Sequence, residues 1–380
     1  MPGFDASKKW VILAPLQLPA AVRAAKELSR CISLLAEGST EQQSQSRQNP
    51  DPPVSARPGI VDASGAAPPP HTPIILLNSE SPGVSKRGFS WRVGPERIEI
   101  YGESEGGLCK GIYDFLAALG LSWPKPGTSD SDEILPVPAN HKIYELKTQG
   151  NYAPSRQKTD DPESLSWKRL LIPDKGEFAG TPKKREALLL WAERNGFDAA
   201  IFPFRSIKGA AEELRPYALV PEAGGWTMSL LVPRRLFVFH RELFRMEGGK
   251  RKKQVHFCPT HPETIAVIRA EARKLFIAAG ASQTSGIRTF HLWPDLGEEK
   301  TWCSCPSCRA FSLTEQNRIA VNAASDALAE VISEVTAEAA PGLENSDTDK
   351  CYISIYENSD EEADIVLRPN VFKIDLQKIE

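Results

Sequence analysis

The segment that begins at Phe290 most constrains this chain, because an apolar run there leads into carboxylates and then into thiols. The carboxylates are Asp295, Glu298 and Glu299, and the thiols are Cys303, Cys305 and Cys308. Carboxylates at the C-terminal end of a buried strand are where α/β barrel enzymes place their chemistry. Closely spaced thiols are typical metal ligands. The segment therefore raises two hypotheses, an acid/base site and a metal site.

Composition excludes several classes of function. With 380 residues, 41% apolar and 25% charged, the chain has room for two domains or for a large barrel with an appendage. A net charge of −3 gives no electrostatic basis for nucleic-acid binding. The basic run at residues 250–253 is typical of a solvated loop.

Targeting signals are absent from the sequence pattern. No stretch approaches the roughly 18 apolar residues of a membrane span, so we expect no membrane partner. The N-terminal residues lack the apolar core and cleavage site of a signal peptide. Seven cysteines, an odd and clustered set, do not resemble a disulfide framework. We therefore expect a reducing, cytoplasmic location.

Residues 1–150 are predicted to form a small α/β domain. Residues 37–72 are rich in Ser, Gln, Pro and Gly, a composition that cannot bury a core, so we expect a disordered insertion. Around it the pattern predicts strands at 10–14 and 73–77, a helix at 19–35, a hairpin over 89–101 and a helix at 106–119.

Residues 151–380 alternate predicted strands and helices, which indicates a parallel sheet with crossover helices. We expect a helix from Pro182 to Asn195 and two more that begin at capping boxes, Thr260 with Glu263 and Ser312 with Glu315. The strand candidates are 198–204, 226–232, 286–293, 351–356 and 371–374. Because five or six strands are fewer than the eight of a complete barrel, we predict a partial (β/α)8-type barrel that is C-terminally truncated.

Carboxylates near strand ends are the catalytic candidates. Asp295 and Glu298 follow the strand at 286–293, Glu357 follows the next strand, and Glu222 lies in a glycine-rich segment. Paired carboxylates can divide the roles of general acid and nucleophile, as cleavage of a glycosidic bond requires. Alternatively, Glu298 and Glu299 are solvated loop charges. Asp295 is the better candidate, because the Trp-Pro-Asp exit fixes the direction of its carboxylate.

Aromatic residues also fall near the predicted strand ends. Sugar rings stack their C–H faces on aromatic rings, so these residues suit a carbohydrate cleft, although a Trp in an apolar run is often part of the core. The aromatic residues are Trp226, Trp293, Trp302 and Tyr356. The substrate-binding candidates are Trp226, Trp293, His240, Tyr356 and Arg156.

The thiols suggest a structural zinc site. Cys303, Cys305 and Cys308 supply three ligands, and the fourth is Cys258, His256 or His291. The spacing departs from paired Cys-x-x-Cys knuckles, so reduced thiols that shape the loop are the alternative. We predict no cysteine nucleophile, because no His/Asn partnership is visible.

Several motifs together resemble a family of glycoside hydrolases. Residues 100–124, with a Gly-rich turn, a Tyr-Asp-Phe-Leu helix and a Leu-Gly-Leu-Ser-Trp exit, are similar to the small domain that precedes the barrel in hexosaminidases and α-glucuronidases. Residues 191–196 resemble the first barrel helix of that family. Runs at 240–244, 248–251 and 257–263, with Asp295 and the cysteines, resemble a bacterial group once catalogued as a domain of unknown function. That group includes glycoside hydrolase family 163, endo-β-N-acetylglucosaminidases that act on complex N-glycans.

The resemblance implies a (β/α)8-type catalytic domain that cleaves glycans containing N-acetylhexosamine or uronic acid. It implies a retaining mechanism, Asp295 as the strand-end acid, a glycan substrate and no required cofactor. Family members continue beyond the point where this chain ends, which implies an open barrel edge. Three alternatives follow: the chain is a fragment, it associates with another chain, such as a second copy, through that edge, or it has lost catalysis. The alternatives are a non-catalytic carbohydrate-binding or assembly protein on a degraded barrel, and a zinc-stabilised domain whose Asp295 segment is purely structural.

Overall fold

The structure is a computed structural model. It describes residues 3–37, 57–65, 70–82, 87–126, 134, 143–145, 149–152, 168–173, 181–281, 287–295, 302–338, 351–358 and 363–369. By the density of internal contacts the chain divides into two units. The first comprises residues 1–163, 167–200 and 211–220, and the second comprises 164–166, 201–210 and 221–380. The sequence-based boundary near residue 150 stays a prediction.

The first unit contains a six-stranded mixed sheet and a two-stranded sheet. The strands of these two sheets are β1 (Gly3–Asp5), β2 (Val11–Ala14), β3 (Gly59–Asp62), β4 (Ile74–Ser79), β5 (Phe89–Val93), β6 (Arg97–Gly102), β7 (Ile143–Glu145) and β8 (Gln149–Tyr152). The sheet order is β3-β2-β4-β6-β5-β8, and β1 pairs with β7 separately. Strands β3, β2, β4 and β6 are parallel, and β5 forms the predicted antiparallel hairpin with β6.

Two helices, α1 (Pro19–Glu37) and α2 (Glu105–Ala118), contact each other in this unit. Pro19 occupies the first turn of α1, where its missing N–H costs nothing. Ser104 caps α2 by accepting a hydrogen bond from the Gly107 N–H at 3.3 Å. These buried helices and the strands confirm the predicted α/β character of the N-terminal region.

The predicted disordered insertion at 37–72 is wrong for part of its length. Residues 59–62 form β3, which pairs in parallel with β2. The short Gly-Ile-Val-Asp run has the β-branched residues that suit a strand, and the edge of β2 satisfies its backbone groups. Residues 38–56 and 66–69 lie outside the described residues.

Alternating strands and helices follow along the chain. They are β9 (Arg169–Leu171), α3 (Pro182–Arg194), β10 (Ala199–Phe202), α4 (Ala210–Leu214), β11 (Val220–Trp226), β12 (Met246–Glu247), β13 (Lys250–Arg251), α5 (Pro262–Ala278), β14 (Thr289–Trp293), α6 (Leu313–Glu338), β15 (Tyr352–Asn358) and β16 (Ala363–Pro369). A second six-stranded sheet has the order β9-β10-β11-β14-β15-β16. Strands β11, β14 and β15 are parallel, which confirms the mixed α/β class.

Barrel closure and C-terminal truncation stay predictions. The last described strand, β16, pairs antiparallel with β15, so this hairpin departs from the predicted succession of parallel strands. The predicted strand at 371–374 lies outside the described residues. The predicted strand at 226–232 is wrong, because β11 ends at Trp226 and a 3₁₀ helix, Met228–Leu231, follows it.

The two predicted capping boxes have different outcomes. Ser312 and Glu315 exchange both hydrogen bonds, at 2.8 and 3.2 Å, which confirms that box at the start of α6. The box of Thr260 with Glu263 is wrong, because His261 is the N-cap of α5 and makes no side-chain capping bond. The Thr260 hydroxyl instead lies 3.0 Å from the Cys308 sulfur.

The packing of α5 separates the two faces of β14. Phe276 of α5 contacts Phe290 edge to face, with ring centroids 4.8 Å apart. Because successive side chains of a strand alternate in face, Phe290 and Leu292 belong to the helix-covered face. His291 and Trp293 belong to the opposite face, which is the face of interest for a site.

Gly224 allows β11 to lie against β14. Its φ is +116°, and a Cβ built at this position would lie 2.1 Å from the His291 carbonyl oxygen. Neither the backbone conformation nor the space accommodates a side chain. The Gly224-Gly225 pair therefore fixes how closely the two strands approach.

We predict that Gly224→Ala strongly destabilises the protein, by about 3 kcal/mol or more, because strain and overlap with backbone add. The matched control is Gly248→Ala, at a position that also has positive φ (+54°) but nothing within 4 Å of the new Cβ. The control should lose about 1 kcal/mol. Urea denaturation measures both, and equal midpoints for the two variants would contradict the close approach.

Candidate functional site

Asp295 lies two residues past β14, where Ser229 holds its carboxylate. The Ser229 N–H donates to Oδ2 at 2.6 Å, and the Ser229 hydroxyl donates to Oδ1 at 2.7 Å. Burial raises the pKa of Asp295, although the hydrogen bonds from Ser229 and the charge of Arg234 oppose this rise. A carboxyl group that keeps its proton to higher pH than usual suits a general acid.

A buried Glu–His pair lies deeper on the same face. Glu222 Oε2 is 2.8 Å from His291 Nε2, and both side chains are essentially inaccessible to solvent. The close approach at Gly224 brings the two strands into the register that allows this contact. A buried carboxylate is stable only when it is paired and hydrogen-bonded, so this contact anchors the face beneath Trp226 and Trp293.

Trp226 and Trp293 are register partners on neighbouring parallel strands. Their rings pack edge to face with centroids 5.1 Å apart, and the His291 ring contacts Trp293 at 5.0 Å. Trp293 is buried and Trp226 is partly exposed. The predicted pair is therefore together in space, and Trp226 is its accessible member.

The structure describes only some of the other sequence-predicted site residues. His240 is exposed and lies 3.2 Å from Glu242. Arg156 and Glu298 lie outside the described residues, and so do the side chains of Tyr356 and Glu357, whose backbone belongs to β15. His291 of β14 and Ser354 of β15 are register partners. Trp293 follows His291 by two residues, and Tyr356 follows Ser354 by two residues. The roles of these residues stay predictions.

The cysteines form a second constellation. The sulfur atoms of Cys258, Cys303, Cys305 and Cys308 all lie within 4.8 Å of one another, and the four residues are buried. Cys258 Sγ is 3.7 Å from Cys305 Sγ and 3.6 Å from Cys308 Sγ. Hydrogen bonds with Cys303 and Cys308 lower the pKa of Cys258, and the hydrogen bond with Cys258 raises the pKa of Cys303 to about 11.

The three residues that the sequence offered as a fourth member of the thiol cluster differ in where they lie. Cys258 joins the cluster, whereas His291 pairs with Glu222. His256 stacks on Trp302 with ring centroids 4.5 Å apart, and burial lowers its pKa to about 4. Trp302 is thus a core residue that packs against a neutral histidine.

Sequence reasoning missed Ser229 as the partner of Asp295 and His291 as the partner of Glu222. Ser229 is 66 residues from Asp295, and Glu222 is 69 residues from His291. The Gly224-Gly225 pair was the available signal, because adjacent glycines within a strand indicate close backbone approach.

A cavity of about 410 Å³ lies in the first unit and shares no residue with this face. Its lining mixes apolar and charged side chains: Thr181, Pro182, Arg185, Glu186, Leu189, Glu213, Pro216 and Tyr217. It contains none of the sequence-predicted site residues. Separately, none of the helices in the described ranges is long and apolar enough to cross a membrane.

Comparisons with known proteins give structural likenesses only. No family model matches the sequence, and no curated protein matches it. A GH20 β-N-acetylhexosaminidase from Streptomyces coelicolor is 9% identical, with 88% of this chain and 61% of that chain covered and a TM-score of 0.43. The N-acetyl-β-hexosaminidase of Streptomyces plicatus is 12% identical, with coverages of 91% and 68% and a TM-score of 0.45.

A third similar structure is a family GH115 4-O-methyl-α-glucuronidase with specificity for decorated arabinogalactans. It is 11% identical, with 88% of this chain and 41% of that chain covered and a TM-score of 0.48. The present chain thus spans about three fifths of the Streptomyces coelicolor enzyme and less of the glucuronidase. At such identities and TM-scores below 0.5, these likenesses do not assign a reaction.

The Glu222–His291 contact makes a prediction about stability. Glu222→Ala should lower the free energy of unfolding by about 3 kcal/mol, because it removes one partner of a buried ionisable pair and leaves a cavity. Glu222→Gln keeps a polar group within reach of His291 and should lose clearly less. Urea denaturation compares the two, and a Gln variant as unstable as the Ala variant would show that hydrogen bonding to His291 contributes little.

Proposed function

We propose that this chain is a glycoside hydrolase whose general acid is Asp295. The observation that carries the proposal is the half-buried Asp295, with a raised pKa, beyond the end of a central parallel strand that bears Trp293. The C-terminal ends of parallel strands are where α/β enzymes assemble their sites. The partly exposed Trp226 offers an aromatic surface for a sugar ring.

The proposed substrates are glycans that contain N-acetylhexosamine or uronic acid, cleaved with retention of configuration. Retention requires a second carboxylate about 5 to 5.5 Å from the acid. Glu357, in the strand next to β14, and Glu298 are the proposed candidates for this role. His240, Tyr356 and Arg156 are proposed to contact the substrate.

In the proposed reaction Asp295 donates its proton to the glycosidic oxygen, and the second carboxylate attacks the anomeric carbon. Water then releases the sugar while Asp295 takes a proton back. Ser229 fixes the direction of the Asp295 carboxylate throughout. The Glu222–His291 pair supports Trp293 and does not touch the substrate in this scheme.

A second candidate function is glycan binding without catalysis. It is favoured by the contacts of Asp295, because both carboxylate oxygens accept hydrogen bonds from Ser229 at the start of the 3₁₀ helix Met228–Leu231. A carboxylate in that position can be a structural cap. The two functions share the Trp226 surface and differ only in turnover.

Turnover separates the two candidates. We predict that chromogenic N-acetylglucosaminides, glucuronides or N-glycan substrates are hydrolysed, and that Asp295→Asn lowers kcat/KM by about 100-fold to 10,000-fold because it removes the general acid. The control is Asp326→Asn, at an exposed residue of α6 that pairs with Arg269. Sugar binding without turnover, unchanged in Asp295→Asn, would overturn the enzyme proposal in favour of the binding one.

The pH dependence gives an independent prediction. An acid must be protonated to work, so activity should fall as the pH rises through the pKa of Asp295. The hydrogen bonds from Ser229 lower that pKa. Ser229→Ala removes the hydroxyl donor, so the alkaline limb of kcat/KM should move to higher pH. An unchanged or downward-shifted limb would contradict Asp295 as the acid.

A further inference from the structure

We propose that Cys258, Cys303, Cys305 and Cys308 bind one zinc ion in a closed structural site. The geometry is the first support. Tetrahedral coordination with Zn–S bonds of about 2.3 Å places sulfur atoms about 3.8 Å apart. The sulfur of Cys258 lies 3.7 Å from that of Cys305 and 3.6 Å from that of Cys308. A disulfide would instead need about 2.05 Å.

The ligand set identifies the kind of site. Four buried cysteines fill every position of a tetrahedral ion and leave none for water or substrate, which is the mark of a structural and not a catalytic site. A divalent cation would keep all four groups as thiolates. Zinc is the metal that this all-sulfur tetrahedral set favours, with iron as the competing occupant.

The groups around the sulfur atoms complete the site. The Met246 N–H donates to Cys303 Sγ at 3.3 Å, and Arg251 Nη1 lies 3.7 Å from the same sulfur. Four thiolates with Zn²⁺ carry a net charge of −2, and the Arg251 guanidinium offsets part of it. Donors of this kind orient metal-bound thiolates and stabilise their charge.

The site would join two segments of the second unit. Cys258 lies just before α5, and the other three cysteines lie between β14 and α6. Gln316 of α6 holds the same loop, since its Oε1 accepts from the Cys303 N–H at 3.0 Å and its Nε2 donates to the Cys308 carbonyl at 3.2 Å. A zinc ion here would tie the described loop at residues 303–308 to the start of α5, whichever function Asp295 has.

The experiment measures metal in the full-length protein purified without chelators. We expect about one zinc per chain by elemental analysis, and stoichiometric release when a mercurial reagent titrates the thiols in the presence of a metallochromic dye. Cobalt substitution should give the absorption of a tetrahedral thiolate site. Sub-stoichiometric metal, stoichiometric iron or a disulfide among these cysteines in the wild-type protein would overturn the proposal.

Variants then identify the ligands. Cys258→Ser should lose zinc or bind it far more weakly, whereas Cys31→Ser, at a buried cysteine of α1 outside the cluster, should retain one zinc per chain. His256→Gln should also retain it, because the structure excludes His256 from the ligand set. Full zinc in Cys258→Ser would overturn the assignment. If that variant does not fold, the release and cobalt measurements on wild-type protein decide.

Discussion

The close pairing of β11 with β14 is the constraint on which the candidate site depends. Gly224 meets the backbone of His291 without room for a side chain, and this approach sets the register of the two strands. In that register Glu222 reaches His291, and Trp226 lies beside Trp293. The chain that leaves β11 then forms the 3₁₀ helix whose Ser229 binds Asp295. One backbone contact thus determines three side-chain contacts.

Local signals in the sequence predicted much of the secondary structure. Two predicted helix starts are observed: Thr181-Pro182 at α3 and the Ser312–Glu315 capping box at α6. Each is formed by residues that are at most three positions apart in the sequence. Failures also have local causes. Thr260 matches a capping pattern, but its hydroxyl lies against the Cys308 sulfur. The strand at 59–62 was not predicted, because the residues around it are rich in Ser, Gln, Pro and Gly. Its four residues are ordered by pairing with the edge of β2.

The contacts of the candidate site could not be predicted in the same way. The residues that meet are 66 residues apart for Ser229 and Asp295 and 47 apart for Cys258 and Cys305. Such pairs depend on which strands are neighbours and in what register, and β11 and β14 are parallel strands whose register no hairpin turn fixes. The sequence did narrow the candidates for a fourth ligand beside the three thiols to Cys258, His256 or His291. In the folded chain Cys258, and neither histidine, lies with the other three thiols.

The balance of forces on Asp295 bears on whether it is a cap or an acid. A carboxylate whose main task is to cap a turn is stabilised as the anion, so its hydrogen bonds would hold its pKa below the ordinary value. Ser229 and Arg234 do act in that direction, yet burial outweighs them and raises the pKa. Burial of this kind gives a structural cap no advantage, because it weakens the charged form that accepts the hydrogen bonds. It gives an acid an advantage, because the proton that it must donate is retained closer to neutral pH.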